Sequence, residues 1–333
     1  MSVPLGILDQ SPVVAGATPG EAVAATIALA RQADALGFGR YWLAEHHAMS
    51  GLADASPELL LARLTAETTR IRLGTGGIML PHYSALKVAE SFRMLEALAP
   101  GRIDLGIGRA PGGTSLVSAA LETRDVATFP AQIAATIDFL DGTTPAGTPF
   151  APLTAMPQGR TSPPIWLLGS SDYGALLAAE LGLPYTFAHF IAGDAAAVTR
   201  AYRARFRPSV RNAQPRVMIA LAAIVAPTDA EAEALTWPLA LWRMRLFRGM
   251  STPVPSLDET ARYPWTPRER YEVEQTRRVI AGSPATVRTR IETLVAEHAA
   301  DEVVVVTITP DYATRLRSYQ LLAEVFARSN VAA

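Results

Sequence analysis

Eight times along this chain a short apolar run is followed by a segment with helical periodicity, and that alternation limits the fold more than any other feature. The strand-like runs span residues 4–9, 40–45, 70–80, 102–109, 164–169, 185–190, 216–225 and 302–307. Several are continuous apolar blocks, the pattern of parallel strands buried on both faces. Between them, helices are expected over 21–36, 58–68, 84–98, 130–140, 173–181, 194–206, 228–242, 283–298 and 313–329. Gly37 ends the first of these, Pro57 opens the second and Pro100-Gly101 ends the third. Eight strand–helix units in series predict an α/β fold, a (β/α)8 TIM barrel, in a single domain over residues 1–333. A doubly wound sheet is the rival. It usually carries a glycine-rich dinucleotide turn after its first strand, and none follows 4–9.

Two segments interrupt the rhythm. Residues 141–162 are rich in Gly, Pro and Thr. Residues 237–280 carry Pro253, Pro255, Pro264 and Pro267 among arginines and aromatics, and fall between strand seven and helix eight. Long loops at that end of a barrel are often lids. An insertion packed on the outer helices is the alternative.

Composition narrows the chemistry. With 333 residues and no cysteine, the chain has no disulfide, no thiolate nucleophile and no Cys-ligated metal centre. Redox chemistry would have to run through a bound organic cofactor, or a metal held on His and carboxylates. A net charge of −1 argues against nucleic acid as a partner. Lys87 is the only lysine, which leaves Schiff-base chemistry one candidate, inside a helical pattern. Met1-Ser2-Val3-Pro4 begins no secretory signal, and the most apolar run, 217–226, is about half of what crosses a bilayer. A cytoplasmic protein without membrane contact is expected.

In such barrels, function collects where strands end and helices begin. Those ends read Asp9-Gln10-Ser11, Glu45-His46-His47, 74–77, Gly108-Arg109, Gly169-Ser170-Ser171, Ala188-His189 and Thr307. Of the five histidines, His82 lies in the loop after strand three, and His298 ends a helix as a favourable C-terminal charge or a solvated side chain. Adjacent His46 and His47 point to opposite faces if extended, so a shared metal is disfavoured and no metal site is expected. One of them would enter the pocket while Glu45 or His47 braces packing. Arg109, leaving a glycine-lined strand end, suits an anion. Ser170-Ser171, opening a helix, supply hydroxyls and free N–H groups, although Ser171 or Asp172 could equally be a plain N-cap. Taken together with Arg109, they favour a mononucleotide phosphate. Gly74-Thr75-Gly76-Gly77 mark either a flat ring against bare backbone or a tight barrel layer.

The run Arg40-Tyr41-Trp42-Leu43-Ala44-Glu45-His46-His47 resembles the bacterial luciferase-like flavin monooxygenases. So do Ile71 through Tyr83, Pro100 through Arg109, Ile165 through Gly174, and Leu8-Asp9-Gln10-Ser11-Pro12, in family order along nearly the whole chain. The resemblance implies a barrel binding FMN, reduced by a separate flavin reductase, and a homodimer. By position it assigns Arg109, Ser170, Ser171 and Gly174 to the phosphate, with Tyr173 in the same cofactor site. It assigns Gly76-Gly77 to a place where the family often has a non-proline cis peptide beneath the flavin. His46 would be the catalytic histidine, and 237–280 the mobile lid. Gly108 stands where the luciferase α subunit has a cysteine, so light emission does not follow. The implied reaction oxygenates a small organic substrate with reduced FMN and O2, through a flavin C4a-hydroperoxide held in a dry pocket. A deazaflavin-dependent oxidoreductase and a non-catalytic flavin-binding protein are the alternatives.

Overall fold

A computed structural model describes residues 3–193 and 195–327. Its strands are β1 (Leu5–Asp9), β2 (Arg40–Leu43), β3 (Arg72–Thr75), β4 (Ile78–Met79), β5 (Ile103–Gly108), β6 (Ile165–Gly169), β7 (Tyr185–Ala188), β8 (Val217–Val225), β9 (Val279–Gly282) and β10 (Glu302–Val306). Eight of them close in the order β10-β1-β2-β3-β5-β6-β7-β8, and β8 pairs back onto β10. Every pairing is parallel. The fold is therefore the expected (β/α)8 barrel, with β4 and β9 as accessory strands on β5 and β8.

Buried apolar runs hide a period of two that register reveals. Leu8, Trp42, Trp166, Met218, Ala220 and Val304 pack together inside the barrel. Their neighbours Ile7, Tyr41, Leu43, Leu167, Ile219 and Val303 pack outward with the helices. Both faces are apolar, so the sequence reads as unbroken blocks. At the barrel's N-terminal end the interior is ionic. Asp104 takes Arg72 at 2.6 Å, Trp42 Nε1–H at 3.1 Å and a close contact from Arg40, which also pairs with Glu302 at 2.6 Å.

The interior is crowded enough to demand glycine. A Cβ on Gly106 would stand 1.9 Å from the Thr75 carbonyl oxygen, and one on Gly74 would stand 2.7 Å from Asp104 Cβ. A tight barrel layer thus accounts for Gly74, and the same packing sets Gly77 against the Gly106 backbone, 2.8 Å from where its Cβ would be.

Helices fall where their periodicity and caps place them. Thr18 and Glu21 form a capping box that starts helix Pro19–Leu36, and Gly37, at φ +84°, ends it. The helix expected over 228–242 runs instead as Asp229–Phe247, straight through Pro238. An interior proline loses one hydrogen bond, but burial of Leu239, Leu241 and Trp242 holds the helix together. The rest of 237–280 is not a bare loop either, since it contains helices Leu257–Arg262 and Pro267–Thr276 and strand β9. The sixth expected helix is Ala196–Arg205 and the last is Tyr312–Ala327; Asp194, Arg328 and Ser329, like Met1 and Ser2, lie outside the described residues. No helix of the described residues is long and apolar enough to cross a membrane.

Candidate functional site

The C-terminal ends of the strands form the rim where the predicted residues gather. Gly76, Gly77, Arg109, Ser170, Ser171, Tyr173 and Gly174, drawn from three separate stretches of chain, line one cleft of about 220 Å³. Parallel strands all end on this side, so residues distant in sequence meet here without any local signal between them.

The cleft is apolar on one flank and polar on the other. Leu8, Leu168, Phe190 and Ala220 supply the apolar flank. At the polar end, the Arg109 guanidinium lies 4.2 Å from the Tyr173 ring centroid. Among the described residues no carboxylate comes within ion-pair distance of it. Ser171 occupies the N-cap of helix Asp172–Leu181, yet its side chain makes no capping hydrogen bond. The free N–H groups of that helix, two serine hydroxyls and a free guanidinium therefore face one space, the donor set of an oxyanion site. The Gly76–Gly77 peptide is cis, as the resemblance implies.

Thr186 was not singled out from sequence. Its Oγ1 is buried, has no hydrogen-bond partner among the described residues, and lies on the cleft wall. A buried hydroxyl left unpaired costs about 1–3 kcal/mol, which a ligand's polar atom would recover. The available signal was a small aliphatic hydroxyl between the aromatics Tyr185 and Phe187. Its inward direction needed the register with Leu168 and Met218.

His46 stands on the same rim but is not one of the side chains lining this cleft. Its Nδ1 lies 3.1 and 3.3 Å from the two carboxylate oxygens of buried Asp54. An ionised Asp54 only accepts, so Nδ1 carries the proton and Nε2, without a protein partner among the described residues, is left to exchange one. Burial opposes a charged imidazole here, but the Asp54 carboxylate, helped by Glu45, holds the His46 pKa above its ordinary value. Burial in turn raises the Asp54 carboxyl, with His46 pulling it back. Asp54 was also missed from sequence, because it sits in an irregular loop.

His47 takes a different partner from His46 and contacts Glu45 Oε1 at 2.8 Å. Glu45 also accepts from Tyr83 Oη–H and from the Met79 N–H, both at 2.9 Å, so it braces the end of β2 against β4. Glu45, His47 and His82 each put one potential metal-ligating atom within 4.8 Å of the others. All three already have hydrogen-bond partners, His82 with Thr123 and with the Pro111 carbonyl, each at 2.8 Å. His298 corrects another expectation. It is not solvated but fully buried, stacked on Phe187 with centroids 5.3 Å apart, because the last turn of its helix wraps onto the barrel wall.

The segment 237–280 reaches the rim too. Val254 is buried and bridges to Val14, Ser50 N–H donates to Ser251 Oγ at 2.8 Å, and Trp242 Nε1–H donates to the Thr252 carbonyl at 2.8 Å. These contacts tie its middle to the loops after β1 and β2.

Comparison with known proteins agrees with this layout. The profile of the family described as luciferase-like monooxygenase matches residues 3–302. The chain is 44% identical to the Bacillus subtilis (strain 168) protein YwcH over 98% of its own length and 99% of that protein's. It is 36% identical to the N-acetyl-S-alkylcysteine monooxygenase of the same organism, over 96% and 97% of the two chains. The crystal structure of apo-MsnO8 superposes with a TM-score of 0.90 at 39% identity, covering 98% of both chains.

Proposed function

This chain belongs to the luciferase-like monooxygenase family, and from that premise we propose that it uses reduced FMN and O2 to oxygenate a small organic substrate. Family membership makes it an oxidoreductase with a flavin-type cofactor. The observation carrying the choice of FMN is the polar end of the cleft, where Arg109, Ser170, Ser171 and the uncapped helix offer a phosphate both charge and donors.

When bound, the flavin supplies the activation of O2, chemistry this cysteine-free chain cannot supply from its own side chains. The protein's part is placement and dryness. Arg109 and the serines fix the phosphate end, while Leu8, Leu168, Phe190 and Ala220 keep the opposite flank apolar and exclude water. Thr186 offers its unpaired Oγ1 to a ring heteroatom. His46 exchanges a proton through Nε2, with Asp54 fixing its tautomer. Residues 237–280 cover the rim. Reduced FMN comes from a separate flavin reductase, and the protein works as a cytoplasmic homodimer.

Single turnover tests this reading. One equivalent of reduced FMN is mixed with the protein, isotope-labelled O2 and a thioether. One labelled oxygen atom in the product is the expected result. Tight binding of a deazaflavin, with no oxygenation supported by reduced FMN, refutes it.

A further inference from the structure

A second cavity, of about 340 Å³, lies between helices Asp229–Phe247 and Pro267–Thr276. That volume falls at the low end of the roughly 300–1,000 Å³ typical of small-molecule sites. One side is apolar, built by Leu239, Met244, Val273 and Val279. The other side is charged, with four arginines beside Glu269 and Glu272. Arg248 is held by Glu269 at 2.8 Å, Arg277 by Glu233, and Glu272 is taken by Arg268 at 2.7 Å.

Arg243 and Arg278 have no such partner. Among the described residues no carboxylate reaches ion-pair distance of either guanidinium. Arg243 is only partly exposed, and both burial and the neighbouring Arg278 charge work against its cation, lowering its pKa. Arg278 lies across Gly193, where a Cβ would stand 2.7 Å from its Nε. Two repelling guanidinium groups beside an apolar wall are an unfavourable arrangement for the empty protein. A ligand oxyanion between them removes the repulsion and gives half-buried Arg243 a charge-assisted partner, with exposed Arg278 reaching it from the rim.

The cavity adjoins the cleft. Val279 packs against the inner barrel cluster and pairs with Ala222, two residues past cleft-lining Ala220. Gly193, beneath Arg278, follows Phe190 and Ile191 of the cleft wall.

We propose that this cavity binds an organic acid, a carboxylate on an apolar body, with Arg243 and Arg278 holding the carboxylate. Its position makes the acid the far end of the substrate, a clause that rests on the monooxygenase reading.

Calorimetric titration of the full chain without added flavin, using octanoate and methyl octanoate, tests the site. Octanoate should bind at one site, and the neutral ester at least about tenfold more weakly, as expected when charge-assisted hydrogen bonds are lost. Arg243→Met and Arg278→Met should each weaken octanoate about tenfold or more while FMN affinity stays within about twofold, and the matching lysine variants should retain part of the binding. Equal binding of acid and ester, no octanoate binding, or methionine variants that bind octanoate like the native chain would overturn the proposal. Should a variant fail to fold, the acid–ester comparison on the native protein decides alone. Octanoate binding without any oxygenation by reduced FMN sinks the monooxygenase reading and leaves the site standing; oxygenation without octanoate binding does the reverse.

Discussion

Replacing Arg109 by alanine separates a phosphate site from a merely packed arginine. The guanidinium sits over Tyr173 with no carboxylate partner, at the mouth of a cleft whose serines and helix N-terminus face the same space. A phosphate there would take two N–H donors from it. Charge-assisted hydrogen bonds contribute about 1.5–3 kcal/mol each when shielded. Arg109 is exposed, so screening reduces the pair to about 2–3 kcal/mol in total. That corresponds to a Kd for FMN raised roughly 30- to 150-fold. Quenching of flavin fluorescence during titration measures it, and riboflavin, which lacks the phosphate, is the internal control. Arg109→Ala should leave riboflavin affinity within about twofold, since in the proposed reading the ring would rest on Leu8, Leu168 and Thr186 of the cleft wall. Salt should narrow the FMN gap between native and variant, because the Debye length falls from about 10 Å at 0.1 M to about 3 Å at 1 M. Equal weakening of FMN and riboflavin would show that Arg109 acts through its packing on Tyr173, and unchanged FMN affinity would move the phosphate elsewhere.

Three other substitutions probe the rim and the barrel floor. Asp54→Asn removes the carboxylate that raises the His46 pKa, so the pH at which the imidazole loses its proton should move down, followed by NMR of its C–H signals; an upward move contradicts the pairing. Because His46 binds its proton more tightly folded than unfolded, its stabilising contribution is complete below the ordinary imidazole value and is lost as pH rises through the raised one; the variant should lack this dependence, while His46→Ala should cut turnover by about 10²–10⁴-fold with FMN affinity nearly unchanged. Asp104→Asn leaves buried Arg40 and partly buried Arg72 short of a counter-charge and should destabilise by about 3–5 kcal/mol, lowering the urea midpoint by about 1 M or more; an unchanged midpoint refutes the ionic floor as a structural element.

The barrel was legible because each parallel strand, buried on both faces, announces itself as an apolar block regardless of its neighbours. Arg109, Ser170 and Gly76 were legible for a related reason. A barrel places function at strand ends, and strand ends can be counted along a chain. What stayed hidden depended on neighbours far away in sequence. Pro238 reads locally as a helix breaker, and only the burial of Leu239, Leu241 and Trp242 overrides it. His298 reads as a helix-end charge, yet curvature of the barrel wall seats it on Phe187, more than a hundred residues earlier. Arg243 and Arg278 were indistinguishable from the other arginines, because what marks them is the absence of the partners that Arg248 and Arg277 possess.

That last contrast bears on how the two cavities relate. Across the described residues most buried or half-buried cations are matched, as Arg40 is with Asp104 and Glu302, and Arg315 with Asp9. Half-buried Arg243 breaks the pattern, and exposed Arg109 and Arg278 also stand without a carboxylate among the described residues, each lining a cavity at the C-terminal side of the barrel. Water can complete the two exposed guanidinium groups, but a half-buried one beside a like charge is costly until an anion answers it. The two cavities are linked through the sheet, since Val279 of the second pairs with Ala222 of β8, two residues past Ala220 of the first. Under the proposed function one anion, the cofactor's phosphate, would answer Arg109. In the proposed reading a second anion, on the substrate, answers Arg243 and Arg278, and with both ends so fixed the two reactants would meet over the apolar flank between them.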